Sequence, residues 1–206
     1  MASPKDTRQA SARRRLTPAA RRRQLTDAAL TVFARNGLAR SVHADVAREA
    51  GVSVPTVFHY FPSRDALLTS VLQELDEHFM KLARRHHEDV DRPARQALAD
   101  HALAFMNAVE AHPAHVRLWL EWSTSVREDT WPSYLAFQER LVGLIRGTIA
   151  RGISRGEIAT ALSDDEAARL FVGCAHMAVM TRLAPPKDVD VETYVARVID
   201  TVIPAP

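Results

Sequence analysis

Four polar side chains lie close together in one short stretch of the chain that is predicted to be helical. They are Ser53, Thr56, His59 and Tyr60. Their hydroxyl and imidazole groups donate and accept hydrogen bonds, which suits contact with phosphate oxygens and base edges of DNA. Pro55 lacks a backbone donor, but its ring offers an apolar face to a thymine methyl group. This stretch is therefore the first candidate for a surface that contacts DNA.

Two short helices around a tight turn, between His43 and Phe61, would position these side chains. Gly51 stands where the turn needs positive φ, which glycine adopts without steric cost. Ser53 is placed to cap the second helix, and Pro55 falls in its first turn. A small apolar core is expected from Val46, Val52, Val57, Phe58 and Phe61. The pattern predicts a helix-turn-helix whose second helix enters the DNA major groove, with an ordinary helical hairpin as the alternative.

Residues 50–68 closely resemble the end of the helix-turn-helix of TetR-family transcriptional regulators. They read Ala-Gly-Val-Ser-Val-Pro-Thr-Val-Phe-His-Tyr-Phe-Pro-Ser-Arg-Asp-Ala-Leu-Leu. The family pattern has Gly-Val-Ser, a Thr, an aromatic pair ending in Phe, and then Ser-Lys or Ser-Arg before a new helix. The resemblance implies that Thr56 and Tyr60 bind phosphates, and that Ser53 and His59 lie nearer base edges. It also places Arg64 near a phosphate.

The net charge of +2 is distributed unevenly along the chain. Residues 1–23 hold eight Lys or Arg against one Asp, whereas the remainder holds 19 basic and 24 acidic residues. A basic arm on a mildly acidic body is expected when one end meets a polyanion, and an arm that serves only solubility is the alternative. By resemblance, Arg13 and Arg15 match two family arginines that enter the minor groove. Unspecific attraction to the DNA backbone remains the alternative for these two residues.

The apolar periodicity and the capping signals predict an all-α protein of about nine helices. The predicted helices span about 17–36, two within 43–61, 63–87, 93–112, 114–126, 130–152, 163–183 and 191–202. The chain is thus expected to comprise a flexible basic arm (1–16), a helix-turn-helix DNA-binding domain (17–65) and a helical regulatory and dimerisation domain (66–206). This is the TetR architecture, in which a three-helix head precedes a larger helical body that binds ligand and dimerises.

Segments of the body narrow the resemblance to one subgroup. Residues 117–125, Arg-Leu-Trp-Leu-Glu-Trp-Ser-Thr-Ser, with Thr-Trp-Pro following at 130–132, look like the LuxR/HapR-type quorum-sensing master regulators. The subgroup has Ala where Pro55 stands and Asn where His59 stands. Asn binds adenine in a bidentate manner and His does not, so the operator is not expected to be identical. The resemblance implies control of density-dependent genes by activation or repression.

A ligand pocket is predicted in the body. Trp119 and Trp122 are three residues apart on one helical face, and the resemblance places them around a pocket with Phe79 and Gln138. Aromatic walls with few polar groups suit an apolar or amphipathic small molecule. Cys174 is assigned to the same pocket, one position before the place where the subgroup often carries a cysteine. Plain core residues are the alternative.

The last two predicted helices are candidates for a dimer interface. Small and large apolar residues alternate there, as in half of a four-helix interface of TetR proteins. The candidate interface residues are Leu170, Phe171, Gly173, Met177, Val198 and Val202. A homodimer would place two recognition helices about one DNA turn apart on a near-palindromic operator. A purely intramolecular core is the alternative.

Several classes of protein find no support in the sequence. The sequence contains no run of 18 apolar residues, so a membrane span is not predicted. It also contains no phosphate-binding Gly loop and no Gly-x-Ser-x-Gly or His-Glu-x-x-His motif, so no enzyme class is predicted. No cofactor or metal is expected, so His86-His87 and His112-x-x-His115 are interpreted as surface histidines. The single Cys excludes an internal disulfide and suits the bacterial cytoplasm, on the nucleoid.

Two other functions stay open. One is a local TetR repressor of an efflux or catabolic operon that a small-molecule inducer releases. The other belongs to a different class, a small-molecule-binding protein or enzyme that reuses the fold. A local repressor usually lies beside its target genes, so the neighbouring genes would distinguish it from a global regulator. Salt-sensitive DNA binding would distinguish a transcriptional regulator from a carrier or enzyme.

Overall fold

A computed structural model describes residues 16–40, 42–126, 128–184 and 190–206. Over these ranges the chain forms nine helices and no strand, so the predicted all-α class is confirmed. The helices are α1 (Pro18–Asn36), α2 (His43–Ala50), α3 (Val54–Tyr60), α4 (Arg64–His87), α5 (Ala94–Ala111), α6 (Pro113–Ser123), α7 (Trp131–Ser154), α8 (Asp164–Leu183) and α9 (Val191–Val202). None of these helices combines the length and the apolar character that crossing a membrane requires.

The first three helices form a small head around an apolar core. Its fully buried residues include Leu25, Phe33, Val46, Val57 and Phe61. Phe58 was expected in this core, but its side chain is 48% exposed and its ring stacks on His43 with the centroids 4.0 Å apart. That expectation is wrong because Val57, the adjacent residue, takes the inward position of α3.

The turn of the helix-turn-helix has the predicted geometry. Gly51 ends α2 with φ 64 and ψ 37, in the left-handed region that favours glycine. Ser53 then begins α3, and its Oγ accepts the backbone N–H of Thr56 at 3.4 Å. Pro55 occupies the first turn of α3, where the missing backbone N–H costs no helical hydrogen bond. Local sequence signals therefore set the angle at which α3 leaves α2.

Helix α4 connects the head to the body without a flexible linker. Ser63 Oγ accepts the backbone N–H of Ala66 at 3.1 Å and starts the helix, which buries apolar side chains along its whole length. One cluster of buried residues extends from Leu25 in α1 to Phe137 in α7. The domain boundary that we propose near residue 65 therefore separates two tasks and not two independent cores.

A second apolar cluster lies farther from the head, among α5, α7, α8 and α9. A capping box starts α8: Ser163 Oγ accepts the backbone N–H of Glu166 at 3.3 Å, and Glu166 Oε2 accepts that of Ser163 at 2.9 Å. α7 approaches α5 closely at Gly152, where an added Cβ would lie 2.7 Å from Ala94 Cβ. The body is thus a closely packed helical bundle beneath the head.

Candidate functional site

Helix α3 presents polar side chains to solvent on the outer surface of the head. Ser53, Pro55 and His59 are exposed, and Thr56 and Tyr60 are half-buried. Ser53 Oγ and Thr56 Oγ1 lie 2.8 Å apart, and the rings of His59 and Tyr60 meet edge to face. The structure therefore brings the five recognition-helix candidates together on one short helix.

Two residues that sequence reasoning missed hold the end of α3 in place. Arg22 Nη1 donates to the carbonyl oxygen of Tyr60 at 2.9 Å, and its guanidinium lies 4.5 Å from the ring centroid of Phe61. His43 Nε2 lies 2.7 Å from the carbonyl oxygen of Phe61. The run of three arginines at 21–23 was a signal in the sequence, but no nearby residue indicated that Arg22 would bind the carbonyl oxygen of Tyr60, 38 positions away.

Arg64 lies at the start of α4 and is 35% exposed at its side chain. Its Nη2 donates to the carbonyl oxygen of Leu38, in the loop between α1 and α2, and its Nη1 lies 3.8 Å from Asp65. Part of its hydrogen-bonding capacity is therefore used inside the head. Arg13 and Arg15, the other basic candidates, lie outside the described residues.

Helix α6 of the body contacts the same loop of the head. Glu121 Oε1 accepts the backbone N–H of Leu38 at 2.7 Å. An added Cβ at Gly37, which has φ 86, would lie 3.3 Å from the same carboxylate oxygen. Sequence reasoning did not identify Glu121, because the two bonded residues are 83 positions apart.

A narrow cavity with a free volume of about 70 Å³ lies in the body, between α4 and the five helices that follow. Its lining includes Phe79, Trp119, Gln138 and Cys174, four of the five residues that were assigned to a pocket. Phe105 and Trp119 meet edge to face with ring centroids 5.1 Å apart. The walls are mostly apolar, and burial raises the pKa of the Cys174 thiol, which keeps it neutral at pH 7.

Trp122, the fifth pocket candidate, does not line this cavity. Its side chain is 1% exposed, its Nε1 donates to the carbonyl oxygen of Thr130 at 3.1 Å, and its ring stacks on Phe137. The prediction for Trp122 is wrong, because α6 directs this side chain toward α7 instead of toward the centre of the body. Trp122 is a core residue that also reaches a second cleft, between α4 and the segment before α7.

Histidines form a buried polar group at the edge of the cavity. His101 lines the cavity, and its Nδ1 lies 2.9 Å from Nε2 of His87. Burial lowers the pKa of His87 to about 4 and that of His101 well below its usual value of 6.5, so both rings are neutral at pH 7. The interpretation of His87 as a surface residue is wrong, since it is 2% exposed. His87 lies eight residues after the buried Phe79 and therefore on the same face of α4, which was the signal in the sequence for its burial.

A second histidine group lies where α4 meets the start of α6. The ring centroid of His78 is 4.7 Å from that of His112 and 4.2 Å from that of His115. Burial and the neighbouring His115 and His112 lower the pKa of His78 to about 4. Among the described residues, no group of three or more His, Cys, Asp or Glu side chains is arranged to hold a metal ion.

Helix α8 has an apolar face that this single chain leaves exposed. Leu170, Met177, Met180 and Leu183 are between 47% and 60% exposed, and Gly173 lies among them. Two other interface candidates face inward: Phe171 and Val202 are 8% and 3% exposed, as parts of the second core. Their assignment to the interface is wrong for this conformation. Val198 is half-buried and lines the cavity.

Comparison with known proteins gives consistent results. Residues 25–71 match the family described as "Bacterial regulatory proteins, tetR family". The chain is 35% identical over 164 residues to the HTH-type transcriptional regulator LuxR of Vibrio harveyi, covering 80% of each chain. It is 26% identical over 172 residues to the fatty acid metabolism regulator protein of Bacillus subtilis, covering 77% of this chain and 81% of that one.

Solved structures show the same fold. A TetR-like transcriptional regulator from Rhodococcus sp. RHA1 superposes with a TM-score of 0.73 at 19% identity, covering 91% of this chain and 96% of that chain. FadR from Bacillus subtilis in complex with stearoyl-CoA superposes with a TM-score of 0.72 at 22% identity, covering 88% and 97%. At these identities the likeness concerns the fold alone.

Proposed function

Because the chain belongs to the tetR family of bacterial regulatory proteins, and is a DNA-binding transcriptional regulator, we propose that α3 reads near-palindromic promoter sites as part of a homodimer. The observation that carries this proposal is the outward face of α3. Ser53, Pro55 and His59 are exposed there, while Arg22 and His43 hold the end of the helix in place. A rigid helix with a polar outer face is what entry into the major groove requires.

The contacts divide into two kinds. Thr56 and Tyr60 bind phosphates and set the register of the protein on the duplex, whereas Ser53 and His59 approach base edges and carry the specificity. Pro55 packs against a thymine methyl group. Together they would read one half-site.

Basic residues outside α3 complete the proposed contact surface. Arg13 and Arg15 enter a narrow A/T-rich minor groove beside the site, where the negative potential attracts arginine. Arg64 braces the loop at Leu38, and its remaining N–H donors reach a phosphate. These contacts would place most of the affinity, and its salt dependence, on the arm and the head.

The identity to LuxR of Vibrio harveyi supports a LuxR/HapR-like global regulator that activates some promoters and represses others. We propose that the sign depends on the operator position, through competition with polymerase or its recruitment. Since His59 and Pro55 replace the Asn and Ala of that subgroup, the operator would differ in the base pairs under these two residues.

A local repressor released by an inducer is the second candidate, and the body cavity favours it. The fatty acid metabolism regulator protein of Bacillus subtilis, 26% identical to this chain, makes an apolar effector reasonable. Induction requires that the ligand bind the DNA-incompetent state more tightly than the DNA-bound state. A carrier or enzyme that reuses the fold is the candidate of a different class, and it predicts no salt-sensitive binding to DNA.

Selection of bound sequences from random DNA duplexes tests the proposal. Purified full-length protein without ligand, at near-physiological salt, should enrich a near-palindrome with A/T-rich flanks. His59→Ala should relax the preference at one or two positions in each half-site, whereas His112→Ala, a change of an exposed histidine in the body, should leave the consensus intact. Enrichment of no consensus, with or without added small molecules, would contradict sequence-specific recognition.

A further inference from the structure

Four side chains from three helices connect the body cavity to a charged group. His101 on α5 lines the cavity and is 6% exposed. Its Nδ1 lies 2.9 Å from His87 Nε2 on α4, and His87 Nδ1 lies 2.9 Å from Thr148 Oγ1 on α7. Arg151 Nη2 then donates to Thr148 Oγ1 at 3.1 Å and to the carbonyl oxygen of His87 at 3.2 Å. We call these four residues the histidine relay.

The relay has a direction because its charged end can only donate. A guanidinium has no acceptor, so Thr148 Oγ1 accepts from Arg151. If His87 Nδ1 also donated to Thr148, the hydroxyl proton of Thr148 would have no acceptor among the described residues, in a site where this residue is 0% exposed. Buried hydroxyl protons are almost always paired. Thr148 therefore donates to His87 Nδ1.

The tautomers of both histidines follow from this direction. A neutral imidazole carries one proton, so His87, which accepts at Nδ1, carries its proton on Nε2 and donates it to His101 Nδ1. His101 then carries its own proton on Nε2. Burial keeps both rings neutral, and the charges of the neighbouring Arg151 and Arg92 oppose protonation of His87 further.

The Nε2–H of His101 is left without a partner inside the protein. No described residue accepts a hydrogen bond from it, and its ring is more than nine-tenths buried at the wall of the cavity. The surrounding wall is apolar, with aromatic rings of Phe79, Phe105 and Trp119 close to one another. A buried donor beside an apolar cavity is satisfied only by what the cavity contains.

We propose that the cavity selects uncharged apolar ligands that carry one hydrogen-bond acceptor, such as a carbonyl oxygen, and that His101 Nε2–H binds this oxygen. The relay partners His87, Thr148 and Arg151 are positioning residues, because they set the tautomer of His101 without touching the ligand. A carboxylate is excluded because the described residues that line the cavity include no Lys or Arg, and neutral donors alone do not offset the loss of its hydration in an apolar cavity. The inference rests on the proposed function in one respect, that the cavity is the effector site.

Isosteric probes test the selectivity on the intact protein. Acetophenone has an alkene counterpart, α-methylstyrene, in which C=CH2 replaces C=O, and benzoate supplies an anion of similar size. Fluorescence of the tryptophans should report binding, since Trp119 lines the cavity. We expect acetophenone to bind about tenfold more tightly than the alkene, the ratio that one neutral hydrogen bond gives. We expect benzoate not to bind. Equal binding of ketone and alkene, or tighter binding of benzoate, would overturn the selectivity while leaving an effector site.

Two variants link the preference to the relay. His101→Phe keeps a flat ring and removes the donor, and Thr148→Val keeps the side-chain shape and removes the hydroxyl that sets the tautomer. Both should bring the ratio of ketone to alkene affinity to about one, whereas His112→Phe should leave the ratio unchanged. A ratio unchanged in a folded Thr148→Val protein would overturn the positioning role. Binding of neither ketone nor alkene to the wild-type protein would overturn the effector site itself.

The tautomers are tested without any ligand. In protein labelled with 15N at histidine, long-range 1H–15N spectra distinguish a protonated Nε2 from a protonated Nδ1. We expect the Nε2–H form at both His87 and His101 near pH 7. Observation of the Nδ1–H form at either ring would overturn the direction of the relay, whether or not the protein binds DNA.

Discussion

At the scale of single residues, the exposed side chains of α3 differ in the hydrogen bonds that they can form with DNA. His59 is exposed and offers one donor and one acceptor when neutral, while Pro55 offers only an apolar ring. Neither forms a bidentate pair with a base, so discrimination at their positions is expected to be weaker than from an Asn or Arg. We therefore expect affinity to depend more strongly on the phosphate and minor-groove contacts that we propose for the arginines.

The arm arginines give the first prediction. Arg13→Ala with Arg15→Ala should weaken operator binding and reduce the slope of log K against log salt by about one to two for each subunit, because fewer counterions are released. Fluorescence anisotropy with labelled operator, at several salt concentrations, measures both quantities. Arg84→Ala with Arg85→Ala is the control, since it removes the same charge from exposed positions on α4. Equal effects of the two pairs would reduce the arm to a general source of positive charge.

At the scale of helices, α6 joins the cavity to the head. Trp119 lines the cavity, and Glu121, two residues farther along α6, binds the backbone of Leu38 in the head. The second partner of that loop is Arg64, at the start of α4. A small rotation of α6 on ligand binding would therefore displace the loop that precedes the helix-turn-helix. Because helices move as rigid elements, such a displacement reaches the head without unfolding.

The loop contact gives the second prediction. Glu121→Ala should lower the free energy of unfolding by about 1 kcal/mol, the usual contribution of a partly exposed hydrogen bond. It should also weaken operator binding, because the loop at Leu38 loses its carboxylate partner. Urea denaturation and anisotropy titration measure the two effects. Glu77→Ala, at an exposed position on α4, should change neither. Unchanged DNA affinity in Glu121→Ala would mean that α6 does not control the head through this loop.

At the scale of the whole molecule, α8 carries an exposed apolar face that no other described helix of the single chain covers. Leu170, Met177 and Met180 repeat at intervals of three and seven residues, with Gly173 leaving room for close approach of a second helix. We propose that this face, and not Phe171 or Val202, forms the centre of the homodimer interface. The two heads of such a dimer would contact successive major grooves on one side of the duplex.

The α8 face gives the third prediction. Met177→Glu should dissociate the homodimer, because a carboxylate would be buried in an apolar interface without a partner. The side chain is 60% exposed in the single chain, so the fold of each subunit should be retained. Sedimentation equilibrium measures the association, and circular dichroism checks the helices. Val126→Glu, at a position that is also 60% exposed, is the control and should remain dimeric. A dimeric Met177→Glu protein would place the interface elsewhere.

The buried histidines give the fourth prediction, on acid stability. The pKa of His87 is lowered to about 4 in the folded protein, whereas an unfolded chain has the ordinary value of 6.5. Above pH 6.5 neither state binds the proton, but between pH 6.5 and about 4 the unfolded state binds it and gains stability. The free energy of unfolding should therefore decrease as the pH is lowered from 6.5 to about 4, by up to about 3 kcal/mol for His87 alone.

Several groups face these rings and act on the same titration. His86, Arg92 and Arg151 oppose protonation of His87, and burial affects His101 in the same sense. Denaturation midpoints between pH 4 and 7 measure the effect. His87→Gln, which keeps hydrogen-bonding groups and does not titrate, should show a shallower dependence on pH, whereas His59→Gln, at an exposed position, should follow the wild type. Parallel curves for the wild-type and His87→Gln proteins would contradict the shift.

The sequence by itself determined the helices, their ends, the family and four residues of the cavity wall. Ser53 caps α3 as expected, and Thr17, Ser63 and Ser163 cap the helices that follow them, because a cap acts within three residues of itself and is therefore readable from the chain. Positive φ at Gly51 is local in the same sense. Phe79, Trp119, Gln138 and Cys174 were assigned to one pocket by resemblance, and they do line one cavity.

Only the tertiary structure decided which side chains face inward and which distant partners they meet. Leu170 is exposed and Phe171 is buried because adjacent residues on a helix point about 100° apart, and apolar composition alone does not choose between them. The contact of Glu121 with the backbone of Leu38 and the histidine relay join helices that are far apart in the chain. Such contacts depend on how the helices pack, and no local pattern of residues specifies that packing.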